Sequence, residues 1–153
     1  MNHSDDPLGH DRFVRAQDGT FAAALAEIRG GRKHSHWMWY VLPQIAGLGF
    51  SAMSQRYAIE GVAEAQAYLE HPVLGPRLIE CVAALLTIEG RSAHAIFGSP
   101  DDLKLRSCAT LFAHVTPPGS VFERLLDQYF EGQRDESTLE LLRTTQPGGL
   151  ATP

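Results

Sequence analysis

The sequence predicts an all-α fold, an irregular multihelical single domain of about seven to nine short helices. Three observations carry that prediction. No segment alternates apolar and polar residues in the manner of a strand, with β-branched enrichment. Apolar residues instead recur at three- and four-residue intervals, most clearly at Leu78, Val82, Leu85 and Leu86. Between such runs stand Ser, Thr, Asp, Pro and Gly, the residues that start and stop helices.

In "DDPLGHDRFVRAQ", Asp6 is expected to cap a helix with Pro7 at its first position and with Leu8, Phe13 and Val14 on the buried side. A second helix is expected from the cap Thr20 through Phe21, Leu25 and Ile28 to the stop at Gly30 and Gly31. Ser35 would then cap a short helix that begins at His36 and ends before Pro43, because proline biases Leu42 away from helical backbone. The segment "SAMSQRYAIEGVAEAQAYLEH" reads as one or two helices, with Glu64, Ala65, Tyr68 and Leu69 near the end. Pro72 opens "PVLGPRLIECVAALLTIEG", the best candidate for a central helix, with His71 as its boundary or capping group. "SAHAIFG" is a short helix ended by Gly98, and "DDLKLRSCATLFAHV" follows Ser99 and Pro100 and stops at Pro117 and Pro118. "SVFERLLDQYFEG" should bury Phe122, Leu125, Leu126 and Tyr129; a last short helix capped by Asp135 carries Leu139 and Leu142. The domain is expected over 1–143, with 144–153 a flexible tail.

A chain of 153 residues, 44% hydrophobic and 20% charged, has the composition of one globular domain. Its net charge of -5 argues against a nucleic-acid binder that works by neutralising phosphates, so no nucleic-acid partner is expected. Cys81 and Cys108 lie in apolar helical patterns and read as reduced core residues. The N-terminal sequence has no apolar signal core, and no window approaches the roughly 18 apolar residues of a membrane span. No membrane partner is therefore expected, and the expected location is the cytoplasm.

The positive charge is concentrated. No Asp or Glu occurs between Glu27 and Glu60, a window that holds Arg29, Arg32, Lys33 and Arg56. Within it, "GRKHSHWMWY" gathers two cations, two histidines, both tryptophans and a tyrosine. Cations at the start of a helix are locally unfavourable, unless an anion sits there to meet them and the free backbone N–H groups. The alternative is an acidic side chain from another helix, such as Glu64 or Asp101. Trp37 and Trp39, two apart, cannot share a helical face; Trp37, Tyr40 and Val41 form the natural inward set and leave Trp39 as the candidate wall of a pocket. The loop 43–51, with Gly47 and Gly49, could approach a ligand through its backbone but lacks the spacing of a phosphate-binding motif. Projection places Lys104 on the apolar side of its helix, where it either snorkels outward or is held in a cleft by a carboxylate or an anionic ligand that Ser107 could share. No nucleophile–base signature can be assigned, and neither a metal site nor a cofactor is expected.

The segments "GRKHSHWMWYVLPQIAGLGFS", "YAI", "EAQAYLEHPVLGPRL" and "DDLKLRSCATLF" together resemble the bacterial and fungal DUF1810 family, a domain of unknown function, over nearly the whole chain. The resemblance implies a multihelical single domain. Its motif positions fall on Lys33, Ser35, His36, Trp37, Trp39, Pro43, Gln44, Ser51, Tyr57, Glu64, Tyr68, His71, Arg77, Asp101, Lys104 and Ser107, with His34 at a position where arginine or another polar residue is usual.

The functional expectation is a cleft that binds, and in an enzyme would process, a small anionic or nucleotide-like ligand. Lys33, Trp37, Trp39, Gln44, Arg56, Tyr57, Lys104 and Ser107 are its expected binding residues, and His36 and Glu64 its expected proton-transfer groups. The alternative is a protein-interaction module that docks an acidic partner on the basic aromatic patch 32–44.

Overall fold

The computed structural model describes residues 6–145. Within them lie ten helices: α1 (Asp11–Asp18), α2 (Phe21–Arg29), α3 (Met38–Val41), α4 (Ala52–Arg56), α5 (Val62–Glu70), α6 (Leu74–Leu86), α7 (Ala93–Phe97), α8 (Asp101–His114), α9 (Val121–Phe130) and α10 (Glu136–Thr145). The fold is all-α, with slightly more helices than the sequence predicts. The only strand-like feature among the described residues is an isolated parallel bridge between Ile45 and Ile59. No described helix is long and apolar enough to cross a membrane.

Three helix starts differ from expectation; one of them is α6, which opens at Leu74 because Pro72 and Val73 form a turn ahead of it. The first helix begins at Asp11, because Pro7 to His10 fold into a turn with Gly9 at φ +68°. Asp6 still caps it, accepting the backbone N–H groups of His10 at 2.8 Å and Asp11 at 2.9 Å across that turn. Leu8 is consequently exposed rather than buried. The third helix begins at Met38 rather than His36, and Ser35 does not cap it. At the other end of the chain, α10 runs through Thr144 and Thr145 into the stretch expected to be a flexible tail; 146–153 lie outside the described residues.

Helices α6 and α8 carry the core. The first packs on α2, α5 and α9, the second on α5, α7, α9 and α10. The expected stripe on α6 is buried at Leu78, Val82 and Leu85 and half-buried at Leu86. Helix α8 is buried all round from Ser107 to Ala113, which its small residues Ser107, Cys108, Ala109 and Thr110 allow. Cys81 and Cys108 are free buried thiols; burial pushes Cys81 up to about 12 and Cys108 further in the same direction.

The turn between α5 and α6 is built tightly. The Nδ1 atom of His71 accepts the backbone N–H groups of Val73 at 3.1 Å and Leu74 at 3.2 Å, so an imidazole caps α6. Gly75 packs so closely on α5 that a Cβ there would meet the Leu69 carbonyl oxygen at 2.1 Å. Only glycine fits.

Candidate functional site

The segment before α3 is shaped by one carboxylate. Gly31, at φ +78°, turns the chain back along α2, so residues 34–37 pass the side chain of Glu27. Its Oε1 accepts the backbone N–H groups of His34 at 2.8 Å and Ser35 at 3.0 Å and the indole N–H of Trp37 at 2.8 Å. Its Oε2 accepts the Ser35 hydroxyl at 2.6 Å. Burial by itself would raise the pKa of Glu27, but these four donors outweigh it and bring the value down to about 2. Trp37 is thereby fixed in the core, with its ring edge-on to Phe97.

The next residues meet a second carboxylate. The Lys33 ammonium lies 2.9 Å from Asp101 Oδ2 and 5.1 Å from the centre of the Trp37 ring. On the other side of Asp101, the Lys104 ammonium lies 3.3 Å from Oδ1 and 4.5 Å from the centre of the Trp39 ring. The two tryptophans are thus joined through a lysine–aspartate–lysine bridge, with a cation–π contact at each end. Of the two answers open for Lys33, the structure gives the acidic one: Asp101, at the start of α8.

Trp39 and Lys104 also wall a cavity of about 350 Å³, within the size range of small-molecule sites. Helix α3 supplies Trp39, and the connection behind Pro43 supplies Gln44, Leu48 and Phe50. The start of α4 adds Ser51 and Ser54, α8 adds Leu103, Lys104 and Ser107, and Asp135 and Ser137 close the wall at the head of α10. The connection is pinned by the Ile45–Ile59 bridge, through hydrogen bonds from Ala46 to the Ile59 carbonyl and from Ile59 to the Gln44 carbonyl. Gly47 stands there at φ +103°, a backbone region that L side chains rarely adopt, and a Cβ would lie 3.0 Å from the end of the Leu141 side chain on α10. Phe50, 87% exposed, stands at the rim. Asp135 is committed at one oxygen, its Oδ2 accepting the Thr138 N–H at 3.0 Å and hydroxyl at 2.5 Å, while its Oδ1 faces the Arg106 guanidinium at 3.9 Å.

The structure therefore brings together Trp39, Gln44, Lys104 and Ser107 of the expected binding residues. Lys33 stands behind them with its charge held by Asp101, and Trp37 belongs to the core. Arg56 and Tyr57 line a different surface cavity, with Arg12 and Arg15 of α1. The expected pairing of His36 with Glu64 is not formed. His36 is exposed ahead of α3, whereas Glu64, 3% exposed, is enclosed by other partners.

Those partners form a separate polar network inside the fold. Glu64 Oε1 accepts the Glu60 backbone N–H at 2.6 Å. Its Oε2 faces His10 Nε2 at 3.2 Å, off the axis of a hydrogen bond, and the Arg12 guanidinium at 3.4 Å. Burial pushes the Glu64 pKa up, but His10, the Glu60 N–H and Arg12 together leave it lowered. Arg12 is itself spent on the carbonyl oxygens of Leu8, Gly9, Arg56 and Ala58. Beside this group, Gln17 donates to the Tyr40 carbonyl and the Tyr68 hydroxyl and accepts from Arg77. Every member faces another member or the backbone, so the network ties α1, α5 and α6 together.

Phe50 and Ser51 lie in the loop 43–51 expected to approach a ligand, whereas Glu27, Ser54, Asp135 and Ser137 are not among the residues expected at the site. A sequence signal exists for Glu27 alone: it is the last acid before the acid-free window and sits just ahead of a double-glycine turn. The others reach the cavity only through the packing of α4 and α10.

An all-helical domain with a mixed aromatic, cationic and hydroxyl-lined cleft is the class this geometry defines. The chain belongs to the DUF1810 family, described as a protein of unknown function, whose model matches residues 7–142. It is similar to the crystal structure of the conserved hypothetical protein Rv1873 from Mycobacterium tuberculosis, at 49% identity and a TM-score of 0.88, over 90% of this chain and 98% of that one. No curated protein matches.

Proposed function

We propose that the protein binds a small anionic ligand with a flat ring, nucleotide-like in that sense, in the cavity of Trp39 and Lys104. The observation that carries the reading is the contact of those two side chains on one wall: an ammonium for the anion beside an indole for the ring, within a concave, hydroxyl-lined site. Gln44 and Ser137 supply neutral hydrogen-bonding groups for orientation, while the hydroxyls of Ser51, Ser54 and Ser107 already donate to Ser54, the Ser51 carbonyl and the Leu103 carbonyl. The reading is of binding rather than of a particular reaction, because neither expected proton-transfer group lines the cavity.

Support for an interaction module on 32–44 is weaker. The rings that would form its patch are turned inward: Trp37 is in the core, and Trp39 and Tyr40 are half-buried.

The test is a thermal-shift panel of nucleotides, sugar phosphates and carboxylates on the wild type, Lys104→Ala and Trp39→Ala. A ligand present at about a hundred times its Kd should stabilise the wild type by roughly 2.7 kcal/mol, a shift of several degrees. Either substitution should abolish that shift. A panel that moves nothing, or that moves the variants as much as the wild type, sinks the proposal.

A further inference from the structure

The charges around the cavity set a limit on its ligand, a step that rests on the cavity being an anion site. Lys33 and Lys104 share one carboxylate, Asp101, so the bridge keeps one positive charge in surplus. Lys33 is buried at 8% side-chain exposure, and Lys104, at 23%, presents that surplus to the cavity. The only other charged group on the wall is Asp135, which Arg106 offsets from the neighbouring side. The remaining polar side-chain groups there are neutral: serine hydroxyls, the Gln44 amide and the Trp39 indole N–H.

A phosphate monoester carries between one and two negative charges at neutral pH, and a nucleoside triphosphate more. Sites for such groups gather several cations, or the free N–H groups of a glycine-rich loop at a helix start. This cavity offers one net charge, and a second negative charge would find no further unbalanced cation on the wall to meet it. The chain as a whole, at -5, adds no attraction.

We infer that the cavity takes a flat monoanion, of the class of aromatic and heteroaromatic carboxylates, and that Asp101, behind the wall, fixes this preference by holding one of two lysine charges in balance. Asp101 is a specificity-determining residue that acts through Lys33 and Lys104.

The test compares indole-3-carboxylate, its neutral amide, adenosine monophosphate and adenosine triphosphate by titration calorimetry on the wild type, Asp101→Asn and Lys33→Met. In the wild type the carboxylate should bind on the order of tenfold more tightly than its amide, and more tightly than either nucleotide. Asp101→Asn adds one positive charge and should favour the dianion over the monoanion: about threefold gain for the carboxylate and about tenfold for the monophosphate, both fading with salt. Lys33→Met should do the reverse, weakening the monophosphate more than the carboxylate although residue 33 does not line the cavity. That variant also carries the test if Asp101→Asn, which strands a buried lysine, does not fold. Tighter wild-type binding of either nucleotide, dependent on Lys104, would keep the anion site and overturn the monoanion limit. An unchanged ranking in a folded variant overturns it as well. Should no ligand of any charge bind the wild type, the cavity reading falls and the inference with it.

Discussion

Glu27 is the residue on which the tryptophan segment turns. Four donors from residues 34–37 converge on one carboxylate, and charge-assisted hydrogen bonds of this kind outweigh neutral ones. Glu27→Gln keeps the shape, removes the charge and turns one acceptor into a donor facing the Ser35 hydroxyl. It should lower stability by about 2 kcal/mol in urea denaturation; a loss below about 0.5 kcal/mol would show that the segment holds itself. At this scale the sequence was only partly legible. The unusual composition of the segment marks the place, and a lysine at an expected helix start calls for a negative partner, which Asp101 supplies. The convergence on Glu27 was not legible, because it depends on a reversal at Gly31 whose direction no periodicity encodes. Glu64 misled for a related reason: a carboxylate on a helix looks the same in sequence whether it faces a cleft or a buried histidine.

At the scale of elements, the punctuation residues did most of the work. Ser92, Ser120 and Asp135 cap the helices they precede, and His71 caps α6 with a ring nitrogen. The starts of α1, α3 and α6 differ from expectation where a turn stands between the signalling residue and the helix, or where the expected cap is drawn to a distant partner. Gly75 gives the sharpest test of element packing. Gly75→Ala forces a Cβ against a backbone carbonyl that has no side-chain freedom to yield, so α5 and α6 must separate. A loss of about 3 kcal/mol or more is expected by chemical denaturation, against a gain if the position were an ordinary helical glycine. The sign of the change decides the matter.

For the molecule as a whole, acid should act in two stages. The His71 pKa is lowered, first by burial and then by nearby His10, and its Nδ1 must stay unprotonated to cap α6. Its contribution is therefore complete above the ordinary histidine value near 6.5 and is lost as pH falls below it. Glu27 follows at lower pH: its contribution is complete above the ordinary glutamate value near 4.5 and disappears toward about 2, with the lowered Asp6 and Glu64 in the same direction. A melting curve followed from pH 7 to pH 3 should show both declines, and His71→Ala should remove the first while leaving the second. The fold class was legible at this scale because each helix signals itself locally. The cavity was legible at Trp39, Gln44, Lys104 and Ser107 and in the loop 43–51, but not at Ser54, Asp135 and Ser137, which reach it through the placement of α4 and α10.

The bridge between the tryptophans has an optical consequence. Both indoles sit near an ammonium, yet their surroundings differ: Trp37 is sealed in the core with its N–H held by Glu27, while Trp39 is half-exposed on the cavity wall under Lys104. Acrylamide should quench Trp39 emission and spare Trp37, and Trp39→Phe should leave a blue-shifted, quencher-resistant signal. An occupant that draws Lys104 off the indole would change the intensity of one chromophore and not the other, so the protein carries an internal fluorescent gauge of its own cavity.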